Sequence, residues 1–359
     1  MLFHEMRNKV ESETSIMRSA LRVISQRLPP LWTLAPTPRT DVRQAEASID
    51  AEALLTAPDG KSVRIAIEAK RGLEPRGVNL VLNRLQTRDD STLLIVAPYL
   101  STRTRQLLRE KQCSFADSTG NIWLSIARPA VFIETTGATK DPTWTDRPLG
   151  SLKGRTTGKA VRALCDYRPP YGVRDLAKRA AISAPTLSRV IDFLDREALL
   201  RKDERAVVQE IDWTGTIRRW VQDYAFSKSN RVATFLEPRG LSDLRRRLSK
   251  AKWTYAVTGS LAASLVAPVV APRLAQLYVR DIEAAADALE LKRADAGANL
   301  MLAEPFDDVV YDRASRRDGL LCAAVTQVVA DLLTSPGRGP AEAEELLRWM
   351  KANEAAWRT

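Results

Sequence analysis

The stretch from residue 48 to residue 70 reads SIDAEALLTAPDGKSVRIAIEAK, and it decides how the first third of the chain is interpreted. Two runs of alternating apolar and polar residues flank the Pro-Asp-Gly sequence at 58–60, which is a strong turn signal. The pattern predicts a β-hairpin whose paired residue numbers sum to about 118 or 119. Asp50 is then expected opposite Glu68 or the next residue, with Lys70 on the same strand face as Glu68.

Two carboxylates and an ammonium group would therefore converge on one patch of this hairpin. Like charges that face each other across a strand pair, about 5 Å apart at Cβ, repel unless something neutralises them. Mg²⁺ is the natural candidate because it binds one or two carboxylates together with water. Such an ion could polarise a phosphoryl oxygen and activate a water, which Lys70 could orient. A solvated Glu-X-Lys face without a catalytic role is the alternative.

The arrangement resembles the PD-(D/E)XK nuclease superfamily, in which an Asp and a Glu-X-Lys motif lie on adjacent strands of an αβββαβ core. The resemblance covers about residues 8–127. It implies that Asp50, Glu68 and Lys70 are catalytic, and that Asp50 and Glu68 hold Mg²⁺ if the site is active. The chain departs from the family at Ile49, where the family has Pro. Such domains also occur as inactive scaffolds.

The regions on either side of the hairpin predict a mixed α/β domain over residues 1–135. A helical pattern lies within 1–28, where Glu11 and Glu13 are both candidates for the acid of the first helix of that family. Short apolar runs predict strands at 31–35, 47–57, 62–70, 92–97, 113–116, 121–126 and 130–135, and helical patterns predict helices at about 77–87 and 102–112. The polar segment 136–153, which Pro and Gly interrupt, predicts a linker.

Residues 154–213 have a different character and predict three helices followed by a short hairpin. The third helix, from 184 to about 199, carries apolar residues at helical spacing, and Ser183 is placed to cap its first turn. The two short strands that follow turn at Asp203 and Glu204.

This segment resembles the winged helix-turn-helix of many bacterial regulators, most specifically over the run ISAPTLSRV at 182–190. The resemblance covers 154–212 and implies that the third helix enters the major groove, with Thr186 and Arg189 reaching base edges. It also implies phosphate contacts from Arg174, Lys178, Ser183, Ser188, Lys202 and Arg205. A winged helix that contacts protein is the alternative. Acids at the hairpin turn favour that alternative, and the local excess of positive charge favours DNA.

Residues 214–359 predict a third domain. Helices are expected at 214–226, 241–251, 319–333 and 340–355, and strands at 253–258, 275–280 and 298–303. The strand, Gly259-Ser260 turn and helix start, followed by Asp281, resemble the nucleotidyltransferase-like fold, but its Asp-X-Asp pair is missing. Together with 303–307 and 335–344, this region resembles that of AbiEi-type bacterial antitoxins, which join a winged helix to such a domain and repress their own promoters. The basic helix at 241–251 is either a solvated face or a DNA-backbone contact.

Composition limits the remaining classes of function. The 359 residues include 55 Lys and Arg against 44 Asp and Glu, a net charge of +11, which suggests a polyanionic partner. The excess is densest over 151–213, with 13 basic and 9 acidic side chains. A single histidine, His4, argues against His-based catalytic centres and multi-His zinc sites. Three well-separated cysteines predict buried free thiols in a reducing cytoplasm, and no signal peptide or spanning helix is expected.

We therefore expect a multidomain α+β protein. It would combine a restriction-endonuclease-like αβββαβ core in 1–135, a winged helix-turn-helix in 154–213 and a degenerate nucleotidyltransferase-like domain in 214–359. The expected role is that of a cytoplasmic bacterial transcription regulator or antitoxin-like protein that binds double-stranded DNA, in a phage-defence system. The alternatives are a Mg²⁺-dependent DNA nuclease targeted by the winged helix, and a protein-interaction scaffold. A toxin or other defence-system partner and a homodimer are left open, and no membrane partner is expected.

Overall fold

A computed structural model of the chain describes residues 12–37, 49–85, 91–139, 141–142, 150–267 and 271–359. They belong to two compact units, one within Met1–Asp146 together with Arg196–Ala198, and the other within Arg147–Asp195 and Leu199–Thr359. Each unit combines helices with a seven-stranded sheet, which confirms the expected α+β class. His4 and Glu11 lie outside the described residues.

The first unit is a sheet whose strands are neighbours in chain order. Its elements are α1 (Glu13–Ser25), β1 (Thr33–Thr37), β2 (Ala51–Thr56), β3 (Ser62–Ala69), α2 (Val78–Arg84), β4 (Ser91–Ala97), α3 (Thr102–Glu110), β5 (Ser114–Asp117), β6 (Ile122–Ala127) and β7 (Ala130–Thr135). Strands β3, β4 and β5 are parallel, and all other neighbours are antiparallel. A helix, three strands, a helix and a strand therefore follow one another as the sequence predicts.

Strands β2 and β3 form the hairpin that the quoted stretch predicts. Ala51 pairs with Ile67, which matches the expected register. In the turn, the Ala57 N–H donates to the Lys61 carbonyl (2.8 Å), and Gly60 adopts a φ of +83°, where a side chain would be strained. The local turn chemistry thus fixes which residues of the two strands meet.

Helices cover both faces of this first sheet. Ile16 and Ile24 of α1 are fully buried against one face, and Val78 of α2 and Leu108 of α3 are buried against the other. Because β3 has a parallel neighbour and both of its faces are covered, its last five residues are all buried, and Glu68 is one of them.

The second unit begins with three helices and a hairpin, which we call the helix–hairpin segment (residues 155–211). Its elements are α4 (Arg155–Asp166), α5 (Val173–Arg179), α6 (Ala184–Arg196), β8 (Leu200–Lys202) and β9 (Val208–Ile211). Tyr171 adds an antiparallel bridge to Val208 in the hairpin. The apolar positions of α6, among them Leu187 and Leu194, are buried as the sequence predicts.

The remainder of the second unit surrounds the second sheet. Its elements are α7 (Trp213–Trp220), α8 (Phe226–Ser229), β10 (Arg231–Leu236), α9 (Leu241–Leu248), β11 (Tyr255–Thr258), α10 (Gly259–Ser264), β12 (Ala275–Val279), α11 (Ile282–Ala288), β13 (Lys292–Arg293), β14 (Leu300–Glu304), β15 (Ser315–Arg317), β16 (Leu320–Cys322), α12 (Val325–Leu333), α13 (Gly339–Ala352) and α14 (Glu354–Trp357). The strand order is β13-β10-β14-β12-β11-β16-β15. One hydrophobic cluster joins Leu164 and Leu187 of the helix–hairpin segment to Leu277 and Leu346, so the core continues across residue 213.

The sequence-based prediction of a helix from 319 to 333 is wrong at its beginning. Asp318 and Gly319 form a turn with positive φ angles (47° and 79°), which pairs β15 with β16, and α12 begins only at Val325. A short apolar run does not distinguish strand from helix, and here the Asp-Gly turn decides. Strand β10 and helix α11 were not predicted.

The three cysteines are buried free thiols, as predicted, and burial raises the pKa of Cys113 to about 12. In the described part of the chain, no helix has both the length and the apolarity that a membrane span requires.

Candidate functional site

Three polar side chains form a line along the N-terminal end of α6, from Ser183, which precedes the helix, to Arg189. The Ser183 and Thr186 hydroxyls lie 2.8 Å apart, and the Thr186 N–H donates to Ser183 Oγ at 3.4 Å. Arg189, one turn further on, donates from Nη2 to Thr186 Oγ1 at 3.4 Å. The buried positions of α6 lie on its other side, so this line belongs to the outer face of the helix. Thr186 and Arg189, for which the resemblance to a winged helix implies base contacts, both lie in this line.

Most of the predicted phosphate-binding cations are exposed and unpaired. Arg174 and Lys178 of α5 and Arg205 of the hairpin turn are exposed, and no acidic side chain of the described residues pairs with them. Ser183 is exposed and Ser188 is half-buried. The three cations are therefore accessible to an external anion.

Lys202 has a different environment from the other predicted phosphate contacts. Its ammonium group pairs with Asp192 at 2.5 Å and with Asp195 at 3.8 Å, both on α6. Asp203 accepts hydrogen bonds from the backbone N–H groups of Arg205 and Val207, which lowers its pKa and shapes the hairpin turn. Asp203, whose negative charge favours a protein contact over DNA in the sequence, thus has a structural role in the turn.

In the first unit, the structure brings Asp50, Glu68 and Lys70 together. Asp50 directly precedes β2, and its carboxylate Oδ2 accepts a hydrogen bond from the Ala69 N–H at 2.7 Å. The Lys70 ammonium donates to Glu68 Oε1. The pairing of β2 with β3 therefore places all three side chains at the carboxyl end of β3, as the hairpin register predicted.

Glu68 is the most constrained member of this cluster. It is 6% exposed, and burial raises its pKa, while the hydrogen bond from Lys70 lowers it and the nearby Asp50 charge raises it further. Its second oxygen, Oε2, is buried and has no hydrogen-bond partner. An unpartnered buried carboxylate oxygen is costly, so it marks a place where a cation or a water would be stabilised.

The donor set at this site fits Mg²⁺. Two adjacent carboxylates, Asp50 and Glu68, offer oxygen ligands, and the unpartnered Glu68 Oε2 is available for coordination. No group of three or more His, Cys, Asp or Glu side chains that could hold a metal occurs in the described parts of the chain, so the protein would supply two carboxylates and leave the remaining positions to water or substrate.

The Gly259-Ser260 turn of the second unit is filled from inside the protein. A Cβ at Gly259 would lie 1.9 Å from Gln276 Oε1, so the Gln276 side chain occupies that space. Asp281 Oδ1 accepts from the Ala284 N–H at 3.0 Å and caps α11. These residues therefore serve packing and capping.

A buried polar network surrounds Asp331, which the sequence does not single out. This carboxylate is fully buried and accepts hydrogen bonds from the hydroxyls of Thr258 (2.5 Å), Tyr224 (2.6 Å) and Tyr278 (2.8 Å) and from the Gln327 amide (2.9 Å). Burial raises the pKa of Asp331 to about 6, although these donors lower it. Three of these partners, Thr258, Tyr224 and Tyr278, are at least 53 residues away in the chain, so no local sequence pattern predicts the network.

No protein-family model matches the chain, and neither the curated proteins nor the solved structures contain a significant match to it.

Proposed function

We propose that the chain binds double-stranded DNA through the helix–hairpin segment, which would act as a winged helix-turn-helix, and that it serves as a bacterial transcription regulator or antitoxin-like protein. The observation that carries this proposal is the set of exposed cations around α6. Arg174, Lys178 and Arg205 form no ion pair with any described residue, and Arg189 donates to a neutral hydroxyl. Unpaired cations beside an exposed helix N-terminus are what a phosphate backbone and a major groove require.

The geometry of α6 suits base reading. The contact between Thr186 and Arg189 restrains the guanidinium on the outer face of the helix, so less rotamer entropy is lost when it meets a guanine edge. Arg174, Lys178 and Arg205 would neutralise phosphates on either side and fix the register of the helix on the duplex.

Footprinting on the DNA upstream of its own gene tests this function. Arg189→Ala should abolish the footprint, because one bidentate base contact contributes about 1–3 kcal/mol of discrimination. Arg201→Ala is the matched control, since Arg201 is an exposed arginine of the same hairpin that already pairs with Glu210. Asp50→Ala should also leave the footprint intact. A footprint that survives Arg189→Ala would contradict the assignment of α6.

A second function, that of a metal-dependent DNA nuclease of the PD-(D/E)XK type, is favoured by the unpartnered Glu68 Oε2. Asp50 and Glu68 would hold Mg²⁺, which when bound would polarise a phosphoryl oxygen and activate a water. The Ala69 N–H holds the Asp50 carboxylate in place, and the Lys70 ammonium lies where it could stabilise charge that develops on the phosphate.

Incubation with single-stranded, double-stranded and modified DNA in Mg²⁺ or Mn²⁺ tests this second function. Cleavage should occur and should disappear in Lys70→Ala. Lys61→Ala is the control, because Lys61 is an exposed lysine in the turn of the same hairpin. Absence of cleavage under all of these conditions, or equal cleavage by Lys70→Ala, would count against a nuclease.

A further inference from the structure

One cleft of the second unit lies between the start of α4, the end of α7 and helix α8. Its volume is about 680 Å³, in the range of small-molecule sites. Hydrogen bonds join the segments that form its walls. The Leu152 N–H donates to Asp223 Oδ2 at 2.7 Å, and the Phe306 N–H donates to Asn230 Oδ1 at 2.7 Å. The cleft is therefore pre-formed.

Three cations line this cleft without a partner. Lys153, Arg155 and Lys228 are exposed, and none of them forms an ion pair with any residue that the structure describes. Asp223, the acid among the lining residues, already accepts from Arg219 at 2.8 Å. The cleft therefore has an excess of positive charge that nothing in the described chain balances.

The first turn of α4 adds to this field. Gly154 precedes the helix and offers no side-chain cap, and the first turn contains no acid. The N–H groups there are left for solvent or for a ligand, and the helix dipole places partial positive charge at the same end.

An aromatic surface forms another part of the lining. Phe306 is half-buried and packs against Tyr224, with ring centroids 5.4 Å apart, and against Trp220 at 6.4 Å. Trp220 and Tyr224 stack on each other at 4.7 Å and are themselves buried. Phe306 is thus a half-buried ring that lines the cleft on a rigid aromatic support, and such a ring offers a planar base a surface for stacking.

We propose that this cleft binds a nucleotide, with its phosphates at Lys153, Arg155 and Lys228 and its base against Phe306. The combination of unpaired cations with an aromatic wall distinguishes a nucleotide from a simple anion, which would need only the cations. The site is separate from the α6 surface and goes beyond DNA binding, since it gives the second unit a small-molecule ligand.

Calorimetric titration of the full chain with ATP, GTP, CTP and UTP separately, and with pyrophosphate, tests the proposal. At least one nucleotide should bind with a one-to-one stoichiometry. Arg155→Gln combined with Lys228→Gln should weaken that binding about tenfold or more, because two charge-assisted contacts are lost. Lys250→Gln combined with Lys351→Gln removes the same charge from exposed positions outside the cleft and should change nothing.

Phe306→Leu separates base recognition from phosphate recognition. It keeps an apolar side chain against Trp220, and it should weaken nucleotide binding about fivefold while leaving pyrophosphate binding unchanged. Urea unfolding of each variant checks that the unit is intact. Absence of nucleotide binding at about 1 mM would overturn the proposal. So would pyrophosphate binding as tight as that of the nucleotide, or an Arg155 and Lys228 double variant that loses DNA affinity but not nucleotide binding.

Discussion

The outer face of the helix–hairpin segment and helix α9 are both rich in basic residues, but their charges have opposite environments. On the first surface Arg174, Lys178 and Arg205 form no ion pair with any described residue, although the Arg205 charge is near enough to Asp203 to lower the pKa of that acid. In α9, three consecutive arginines are all neutralised, Arg245 by Asp318, Arg246 by Asp243, and Arg247 by Asp243 and Glu237. Unpaired charge, and not the number of arginines, therefore distinguishes a surface that needs an external anion.

The inner face of α4 belongs with α9 in this comparison, because its charge is also balanced within the chain. Arg162 is 1% exposed, pairs with Asp166 at 3.0 Å, and donates to the Val309 carbonyl and the Gln327 amide oxygen. We expect Arg162→Met to lower the free energy of unfolding by about 3–5 kcal/mol, since Asp166 would be left as an uncompensated buried charge. Urea unfolding measures this change. The double variant Arg162→Met with Asp166→Leu should recover much of the stability, and an equal loss in both variants would indicate lost packing instead.

The next largest expected effect is the pH dependence of stability that the buried carboxyl group of Asp331 causes. Its ordinary pKa of 3.8 is raised to about 6 by burial, so the folded protein holds this proton more tightly than the unfolded chain. Stability from this group is therefore fully present below about pH 4 and is lost as the pH rises through 6, by about 3 kcal/mol at most.

Comparison of the wild type with Asp331→Asn isolates this contribution. The variant cannot ionise at this position, so the difference between its free energy of unfolding and that of the wild type should change in favour of the variant by about 2.5 kcal/mol between pH 4 and pH 7. Urea unfolding at several pH values gives the difference, and other titrating groups cancel in it. A difference that does not change with pH would mean that the hydrogen bonds from Thr258, Tyr224, Tyr278 and Gln327 hold Asp331 ionised throughout.

The features that local patterns encode were predictable from the sequence. The Pro-Asp-Gly turn set the β2–β3 register and so the meeting of Asp50 with Glu68 and Lys70. The apolar spacing of α6 and the position of Ser183 defined the exposed line that ends at Arg189. In both regions the deciding contacts join residues that are close in the chain or follow from one turn.

The environments of individual charges were not predictable, because their partners are remote. Arg245 pairs with Asp318, and Tyr224 donates to Asp331, across 73 and 107 residues. From the sequence alone, Glu68 could lie on a solvated strand face. In the structure it is buried, because helices cover both faces of the sheet where β3 and β4 run parallel. The cleft cations Lys153 and Lys228 also come from separate segments.

The salt dependence of DNA binding compares the two basic surfaces directly. Each phosphate contact adds about 0.9 to the slope of log affinity against log salt concentration. Arg174→Gln with Lys178→Gln should therefore lower the slope by about 1.8. Arg245→Gln with Arg246→Gln removes the same charge from α9 and should leave the slope nearly unchanged, since those arginines are already paired. Equal effects would show that net charge controls binding, and a wild type without salt dependence would favour a protein-interaction scaffold.

The smallest expected effect is on non-specific DNA affinity, when an arginine of α9 is made unpaired like the cations of the helix–hairpin segment. Asp243 accepts from Arg246 and Arg247, and the hydrogen bond from Arg246 lowers the pKa of its carboxyl group, so the acid is charged at neutral pH. Asp243→Asn should leave Arg246 without its acidic partner, while Arg247 stays paired with Glu237. It should raise non-specific DNA affinity about two- to fivefold at low salt, as fluorescence anisotropy with a random duplex would measure. Glu110→Gln is the control because it also adds one positive charge, but it removes an exposed acid that bonds only the neutral Gln106. If both variants raise the affinity equally, the total charge of the chain governs non-specific binding, and the pairing state of individual arginines has no separate effect.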